Sequence, residues 1–246
     1  MTMALEIRAL GKRFGAFQAV SEVDLTVRVG ERRLLLGQNG AGKTTLFNLL
    51  TGDLRANSGV IRLFGTDITA FETARRVHLG LSRTYQIITL FAGDTVRHNV
   101  ALSLLGLSSR RWQPYAAFAA ERALLAQVDA VLDSVGLTAQ AGKQVSACSY
   151  GEKRRLEIAL ALAQRPRVLL LDEPLAGLSQ QERTQIQSLL ADIPRDITMI
   201  MIEHDMDVAM AFADEITLLH QGRVAVEGKR QEVIAHPTTR EVYLGQ

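Results

Sequence analysis

The stretch Gly37-Gln-Asn-Gly-Ala-Gly-Lys-Thr44 follows the apolar run Leu34–Leu36 and precedes Thr45–Leu50, which has helical character. It satisfies the pattern G-x-x-x-x-G-K-[S/T], in which a glycine-rich turn joins a strand to a helix. Glycines allow backbone N–H groups to surround phosphate oxygens, and the helix N-terminus adds the positive end of its dipole. A chance glycine-rich turn would not require this strand and this helix, so the sequence predicts a nucleotide-phosphate loop. The residues expected to contact the nucleotide here are Gly37, Gln38, Asn39, Gly40, Ala41, Gly42, Lys43, Thr44 and Thr45.

Such a loop requires a second, acidic element elsewhere in the chain. Lys43 can reach the outer phosphates and the Thr44 hydroxyl can ligate Mg²⁺, but the ion needs another oxygen ligand and the attacking water needs a base. Val168-Leu-Leu-Leu-Asp172-Glu173 provides both: a buried strand, then Asp172 to hold Mg²⁺ or its water, then Glu173 as general base. Adjacent carboxylates repel each other, which weakens the alternative of a merely solvated strand end.

The composition is that of an ordinary globular protein of 246 residues, 47% hydrophobic and 22% charged. Its formal net charge is only +2, from 28 basic and 26 acidic residues, so the overall charge does not indicate nucleic-acid binding. The single cysteine, Cys148, excludes an internal disulfide and suits a reducing compartment. A secretory signal is lacking and the apolar runs are far shorter than the roughly 20 residues of a membrane span. We therefore expect a cytoplasmic protein that reaches a membrane only through a partner.

The remaining hydrophobic pattern predicts an α/β fold. Residues 22–29 alternate between apolar and polar side chains, as expected of a half-buried antiparallel strand. Apolar runs at Leu34–Leu36, Val168–Leu171 and Ile197–Ile202 are typical of parallel strands, and they predict the centre of a sheet. Between them, roughly residues 94–164 show helical periodicity, with one apolar stripe formed by Leu124, Val128, Val131 and Val135. Residues 107–120 match neither period and predict an irregular excursion.

A further motif makes the chain resemble the ABC transporter ATPase family. Cys148-Ser-Tyr-Gly-Glu152 is similar to the family signature, usually Leu-Ser-Gly-Gly-Gln, and the resemblance covers nearly the whole chain in the family's motif order. Ser149 and Glu152 also form an S-x-x-E capping box, so a plain helix start is the alternative, and the two interpretations are compatible. The resemblance implies that Ser149, Tyr150, Gly151 and Glu152 meet ATP held by a second subunit.

Three single residues take their interpretation from position within the resemblance. Gln86 matches the glutamine that senses Mg²⁺ and water, although an isolated glutamine is usually polar surface. His204 matches the histidine that contacts the γ-phosphate, although an isolated histidine there is more often a surface residue. Phe14 matches the aromatic residue that stacks on adenine, with an ordinary core residue as the alternative. Glu173, His204 and Gln86 are thus the expected catalytic residues, and Thr44, Gln86 and Asp172 the expected metal ligands.

The resemblance implies one ABC-type nucleotide-binding domain over residues 1–246, with ATP and Mg²⁺ as cofactors. Residues 1–93 and 165–246 would form a RecA-like phosphate-loop core with an N-terminal antiparallel β subdomain. Residues 94–164 would form an inserted helical subdomain that presents the signature. The implied partners are a second ATP-binding subunit, identical or different, transmembrane permease subunits and, indirectly, a solute-binding protein; nucleic acid is not expected.

Several short segments, including 202–206 and 242–245, resemble the branched-chain (hydrophobic) amino acid importer branch of the family. This resemblance implies a peripheral position on the cytoplasmic face of the inner membrane. An ATPase for urea or amide import or for lipopolysaccharide export is the first alternative, and a non-transport ABC ATPase or an unrelated phosphate-loop kinase or GTPase is less compatible with the motifs. The apolar residues Ile87, Ile88, Leu90 and Phe91 predict a docking surface for permease subunits, with ordinary core as the alternative.

Overall fold

A computed structural model of the protein describes residues 2–85, 90–108, 122–204 and 211–244. The described strands are β1 (Met3–Phe14), β2 (Phe17–Arg28), β3 (Arg32–Leu36), β4 (Ser58–Leu63), β5 (Thr66–Asp67), β6 (Leu81–Arg83), β7 (Val168–Asp172), β8 (Thr198–Ile202), β9 (Glu215–His220) and β10 (Arg223–Lys229). The described α-helices are α1 (Lys43–Thr51), α2 (Thr73–His78), α3 (Val96–Gly106), α4 (Arg122–Ser134), α5 (Tyr150–Ala163), α6 (Gln180–Asp192), α7 (Arg230–Ala235) and α8 (Pro237–Leu244). The excursion predicted for residues 107–120 lies almost entirely outside these residues.

Contacts between residues divide the chain into two compact units. The first comprises residues 1–83, 167–173 and 194–246 and contains both β-sheets. The second comprises residues 84–166 and 174–193 and contains α3, α4, α5 and α6. An α/β unit and a helical unit therefore come from interleaved segments of one chain, and the domain limits derived from the sequence remain a prediction.

The first unit is built on a six-stranded sheet with the order β10-β9-β3-β8-β7-β6. Every residue of β3, β7 and β8 is buried, and β8 pairs in parallel with both of the other two. Continuous burial is expected of parallel strands that are covered on both faces. The three apolar runs predicted as the sheet centre are thus confirmed as neighbouring inner strands, and their carboxyl ends meet at one edge.

Strand β3 begins two residues earlier than the apolar run indicated, because it includes two buried arginines. Arg33 is paired with Glu31, at 2.6 Å between Nε and Oε1, and with Glu227. A buried charge is tolerated only when it is paired and hydrogen-bonded. Glu31 is only two residues away, but Glu227 lies 194 positions further along the chain, so the sequence pattern alone did not reveal the full strand.

A second, antiparallel sheet has the order β2-β1-β4-β5. Its pairing confirms the N-terminal antiparallel strand predicted from residues 22–29, although β2 begins earlier, at Phe17. The apolar faces of β1, β2 and β4 join residues of α1 and the central sheet in one hydrophobic cluster. The N-terminal sheet therefore shares a core with the phosphate-loop helix.

The helical unit has its own hydrophobic core. Leu124, Val128 and Val135 of the predicted stripe are buried there, and Val131 is partly buried against them. Cys148 belongs to the same cluster, and burial raises the pKa of its thiol. It therefore behaves as a small apolar residue, as expected for a buried free cysteine.

Candidate functional site

The phosphate loop connects the buried strand β3 to α1, as the sequence predicts. Gly42 begins the helix with a φ of 102° and no side-chain cap. A Cβ atom at Gly42 would lie 2.5 Å from the carbonyl oxygen of Ala19, and one at Gly37 would lie 2.4 Å from that of Leu219. Only glycine fits at these two positions, so the loop packs closely on β2 and β9. The loop residues Gln38, Asn39, Gly40 and Thr44 are exposed, while Ala41 is buried and Thr45 is partly buried.

Lys43 lies within this loop with its side chain almost fully buried. Its Nζ donates to the carbonyl oxygens of Gly37, at 2.6 Å, and Gln38, at 2.9 Å. Burial lowers the pKa of Lys43, an effect that the nearby carboxylates of Glu173 and Asp172 oppose. The ammonium group is thus held between the loop and the acidic strand end, where an anionic phosphate would favour its charged form.

Asp172 ends β7 and is buried, as predicted for the acidic element. Its Oδ2 accepts a hydrogen bond from Nη2 of Arg83 at 2.6 Å. Sequence reasoning missed Arg83, which is the last residue of β6, the strand that pairs with β7. Its only local signal was a charged residue three positions before Gln86.

Glu173 and His204 are brought together although 31 positions separate them in the sequence. Glu173 follows β7 and His204 follows β8, and the Oε1 and Nε2 atoms of the two side chains lie 2.6 Å apart. Glu173 has a φ of 47°, in the left-handed region that non-glycine residues rarely adopt. Such a conformation costs about 1 to 3 kcal/mol and persists where the surroundings hold it, frequently at functional sites.

The carboxyl ends of three adjacent strands therefore carry the main predicted groups. The phosphate loop follows β3, the Asp172-Glu173 pair ends β7, and His204 follows β8, which lies between them. Ligands of open α/β sheets bind at this edge. Mg²⁺ usually takes few protein ligands together with phosphate oxygens and water. The exposed Thr44 hydroxyl and the Asp172 carboxylate fit that requirement, and the described residues contain no larger cluster of metal-binding side chains.

Phe14 lies at the turn between β1 and β2 and is 47% exposed, so the alternative of a core residue is wrong. Its cross-strand partner is Phe17, which is also exposed. The Lys12 ammonium lies 5.1 Å from the centre of the Phe14 ring. An exposed aromatic face in the unit that holds the phosphate loop is compatible with the predicted contact to adenine.

The signature residues lie at the start of α5, in the helical unit. The Ser149 hydroxyl accepts from the Glu152 N–H at 3.1 Å, and the Glu152 carboxylate accepts from the Ser149 N–H at 2.7 Å. The predicted capping box is therefore present. The Gly151 N–H donates to Oε1 of Glu182 at 3.1 Å, and Tyr150 is 42% exposed. Glu182, on α6, is a second residue that sequence reasoning did not single out.

One turn further along α5, Arg154 is fully buried. Its Nη1 donates to the Glu157 carboxylate at 2.8 Å and to the carbonyl oxygen of Tyr85 at 3.2 Å. Burial raises the pKa of Glu157 to about 7, against the opposing effect of Arg154. The hydrogen bond from Arg154 to Tyr85 links the signature helix to the residue that precedes Gln86.

Gln86 itself lies outside the described residues, as do Ile87 and Ile88 of the predicted docking surface. Two residues of that surface are described. Phe91 is 62% exposed, whereas Leu90 is partly buried against the helical core. The alternative of an ordinary core is therefore wrong for Phe91.

Comparison with known proteins identifies this set of motifs. The sequence profile of the family described as ABC transporter matches residues 20–176. The chain belongs to the ABC transporter family. It is accordingly an ATP-hydrolysing cassette with an α/β phosphate-loop core, which excludes an unrelated kinase or GTPase. None of the helices among the described residues has both the length and the apolar character of a membrane span.

Curated relatives match the chain over almost its whole length. The high-affinity branched-chain amino acid transport ATP-binding protein BraF of Pseudomonas aeruginosa is 34% identical, and the match covers 98% of each chain. The corresponding LivG protein of Escherichia coli K12 is 33% identical with the same coverage. The sulfate/thiosulfate import ATP-binding protein CysA 2 of Chromobacterium violaceum is 37% identical over 97% of this chain and 62% of its own length.

Solved structures agree on the fold. The ADP conformation of MJ1267, an ATP-binding cassette of an ABC transporter, has a TM-score of 0.85 at 27% identity and covers both chains completely. The cbiO1 protein of Clostridium perfringens, part of the ABC transporter complex cbiONQ, has a TM-score of 0.82 at 26% identity and covers 100% of this chain and 97% of its own. The predicted fold class is therefore confirmed.

Proposed function

We propose that the chain is the ATP-hydrolysing subunit of an importer for branched-chain or other hydrophobic amino acids. The observation that carries the catalytic part is the edge of the central sheet, where the phosphate loop, Asp172 and the contact between Glu173 and His204 follow three adjacent strands. The cargo rests on the relatives whose names specify branched-chain amino acid transport over 98% of each chain.

The phosphate loop would hold the nucleotide through backbone N–H groups at the start of α1 and through Lys43. The Lys43 ammonium now donates to two loop carbonyls, and charge-assisted bonds to phosphate are stronger than bonds to neutral acceptors. Phosphate binding would therefore draw Nζ away from these carbonyls. Phe14 would stack on adenine without reading its hydrogen-bonding edge, so base selectivity should be modest.

Glu173 would act as the general base. With Nε2 protonated, His204 donates to Oε1 of Glu173 and so fixes the direction of the carboxylate. The left-handed backbone of Glu173 sets where that carboxylate points, because the conformation rotates the side chain relative to the strand. His204 and Gln86 would assist by contacting the γ-phosphate and the water.

Thr44, Asp172 and Gln86 would hold Mg²⁺, which neutralises charge that develops on the phosphate oxygens. The chain's own task is to keep these oxygen ligands at fixed positions. The depth of Asp172 at the end of β7 suits that task, since a buried carboxylate has few alternative orientations.

The start of α5 would complete the site of a second ATP-binding subunit, identical or different. Ser149 is the N-cap residue of α5 and Gly151 lies in its first turn, where helix N–H groups bind anions. Tyr150 and Glu152 would line the same surface. Two nucleotides would then be enclosed by a dimer that forms with ATP and opens after hydrolysis, with residues 94–164 acting as the signature subdomain.

Transmembrane permease subunits and a solute-binding protein would complete the transporter on the cytoplasmic face of the inner membrane. The exposed side chain of Phe91 belongs to the proposed docking surface. Urea or amide import and lipopolysaccharide export remain alternatives, since the cargo does not contact this subunit. A sulfate/thiosulfate import protein is 37% identical to the chain, so identity at this level does not specify cargo.

The test is transport by the complex that contains this subunit. We would isolate the tagged chain from native membranes in mild detergent, identify the copurifying proteins, and reconstitute the complex into liposomes with the solute-binding protein. ATP-dependent uptake of labelled leucine, absent with Glu173→Gln, is expected. Uptake of sulfate or urea instead of leucine would contradict the cargo, and absence of any ATP-dependent transport by the intact complex would contradict transport itself.

A further inference from the structure

Arg83 connects three elements of the sheet edge through short contacts. Its Nη2 donates to Oδ2 of Asp172 and its Nη1 donates to Oδ1 of Asn48, both at 2.6 Å. The guanidinium carbon also lies 5.4 Å from the centre of the Phe47 ring. Because Asn48 and Phe47 belong to α1, the guanidinium joins the phosphate-loop helix to β6 and to the acidic end of β7.

The contact is buried on both sides, with the Arg83 side chain 4% exposed and the Asp172 side chain 1% exposed. A buried carboxylate requires a countercharge, so neutralisation alone would explain a cation at this place. Arg33 provides such neutralisation for Glu31 and Glu227, neither of which is a proposed ligand of Mg²⁺. The Arg83 contact differs because its partner, the Asp172 carboxylate, is the proposed ligand of Mg²⁺.

We propose that Arg83 is a positioning residue for the metal site: it orients the Asp172 carboxylate relative to the phosphate loop. This inference rests on the proposed ATP hydrolysis. A planar guanidinium donates in fixed directions, and Asn48 restrains its other nitrogen. The direction of Asp172 is thereby tied to α1, the helix that carries Thr44. Partners of a metal ligand commonly determine metal affinity in this way.

Two effects of Arg83 on the metal oppose each other. Orientation of Asp172 favours Mg²⁺ binding, whereas the positive charge of the guanidinium repels the ion. The proposal requires that orientation dominates. Arg83→Lys separates the two effects, because lysine keeps the charge but lacks the planar pair of donors that reaches Asp172 and Asn48 together.

The experiment measures metal binding and catalysis in four variants: Arg83→Lys, Arg83→Met, Asn48→Ala and, as a matched control, Arg33→Lys. Binding of Mn²⁺ in place of Mg²⁺ is followed by electron paramagnetic resonance in the presence of ATP. ATP affinity in EDTA is measured separately, as are the Mg²⁺ concentration for half-maximal ATP hydrolysis and the melting temperature.

We expect Arg83→Lys and Arg83→Met to weaken Mn²⁺ binding and to raise the Mg²⁺ requirement by roughly 10-fold to 100-fold, the usual effect of losing a ligand's partner. Asn48→Ala should shift both in the same direction by less, since Arg83 keeps its bond to Asp172. ATP affinity in EDTA should stay within about twofold of the wild type, because the phosphate loop is unchanged. Arg33→Lys should lower only the melting temperature.

Metal affinity that is unchanged in folded Arg83→Lys would overturn the proposal, and so would tighter binding in Arg83→Met, because charge would then dominate. If Arg83→Met does not fold, Arg83→Lys and Asn48→Ala decide the matter. If ATP hydrolysis by the wild-type protein needs no divalent cation, both this inference and the proposed mechanism are overturned. If the wild type needs Mg²⁺ and the Arg83 variants need the same concentration, the inference alone is contradicted.

Discussion

Replacement of Glu173 by glutamine separates chemistry from nucleotide binding. Glutamine has the same length and shape, and its amide oxygen can accept a hydrogen bond from a protonated Nε2 of His204, which lies 2.6 Å from Oε1 of Glu173. The left-handed φ of 47° disfavours both residues similarly, so the backbone at the end of β7 has no new reason to move. Folding stability should therefore change by less than about 1 kcal/mol.

The catalytic effect should be large because only the base is removed. A positioned general base contributes about 10²-fold to 10⁴-fold to the rate. That factor corresponds to roughly 3 to 5 kcal/mol in the activation free energy. ATP affinity should be retained, since Lys43 and the loop amides are untouched, and the uncleaved nucleotide should hold the dimer closed.

The assay compares phosphate release with ATP binding and with elution from a size-exclusion column at saturating ATP and Mg²⁺. His204→Ala is the informative companion, because it removes the partner and leaves the carboxylate, so its loss of rate should be smaller. Wild-type turnover by Glu173→Gln would refute the assignment of the base. An inactive variant that binds ATP but stays monomeric would leave the base in place and contradict dimerisation of the isolated subunit.

Four further predictions concern other parts of the molecule. Lys43→Ala should lose at least tenfold in ATP affinity by titration, because the phosphate loses a charge-assisted donor; unchanged affinity would exclude the loop as the site. Ser149→Arg in the Glu173→Gln protein should convert the ATP-dependent dimer to monomer on the sizing column, and a surviving dimer would contradict the proposed signature contact. Phe91→Glu should abolish copurification with permease subunits while ATP binding survives, and retained copurification would remove Phe91 from the docking surface. The pKa of Glu157 is raised from 4.5 to about 7 in the folded protein, so between these two pH values the folded state binds a proton that the unfolded state does not. The stability that this proton contributes should be lost as pH rises from about 4.5 to about 7. Urea unfolding should show that loss in the wild type and not in Glu157→Gln.

The sequence alone predicted those parts of the site that are formed by residues close together in the chain. The phosphate loop requires glycines, a lysine and a hydroxyl at fixed spacing, and the adjacent strand and helix have recognisable patterns. Asp172 and Glu173 follow an uninterrupted apolar run, so their place at the end of a buried strand could be predicted too. The capping box at Ser149 is likewise a local arrangement within one helical turn.

The tertiary structure decided which of these segments meet. Arg83 contacts Asp172 because β6 is the neighbour of β7, and His204 contacts Glu173 because β8 lies on its other side. The Gly151 N–H likewise donates to the carboxylate of Glu182, a residue of α6 that lies 31 positions further along the chain. Strand order and helix packing follow from burial of the whole apolar surface, a property summed over distant segments. A local pattern specifies an element and its ends, but its neighbours are specified only when the complete core assembles.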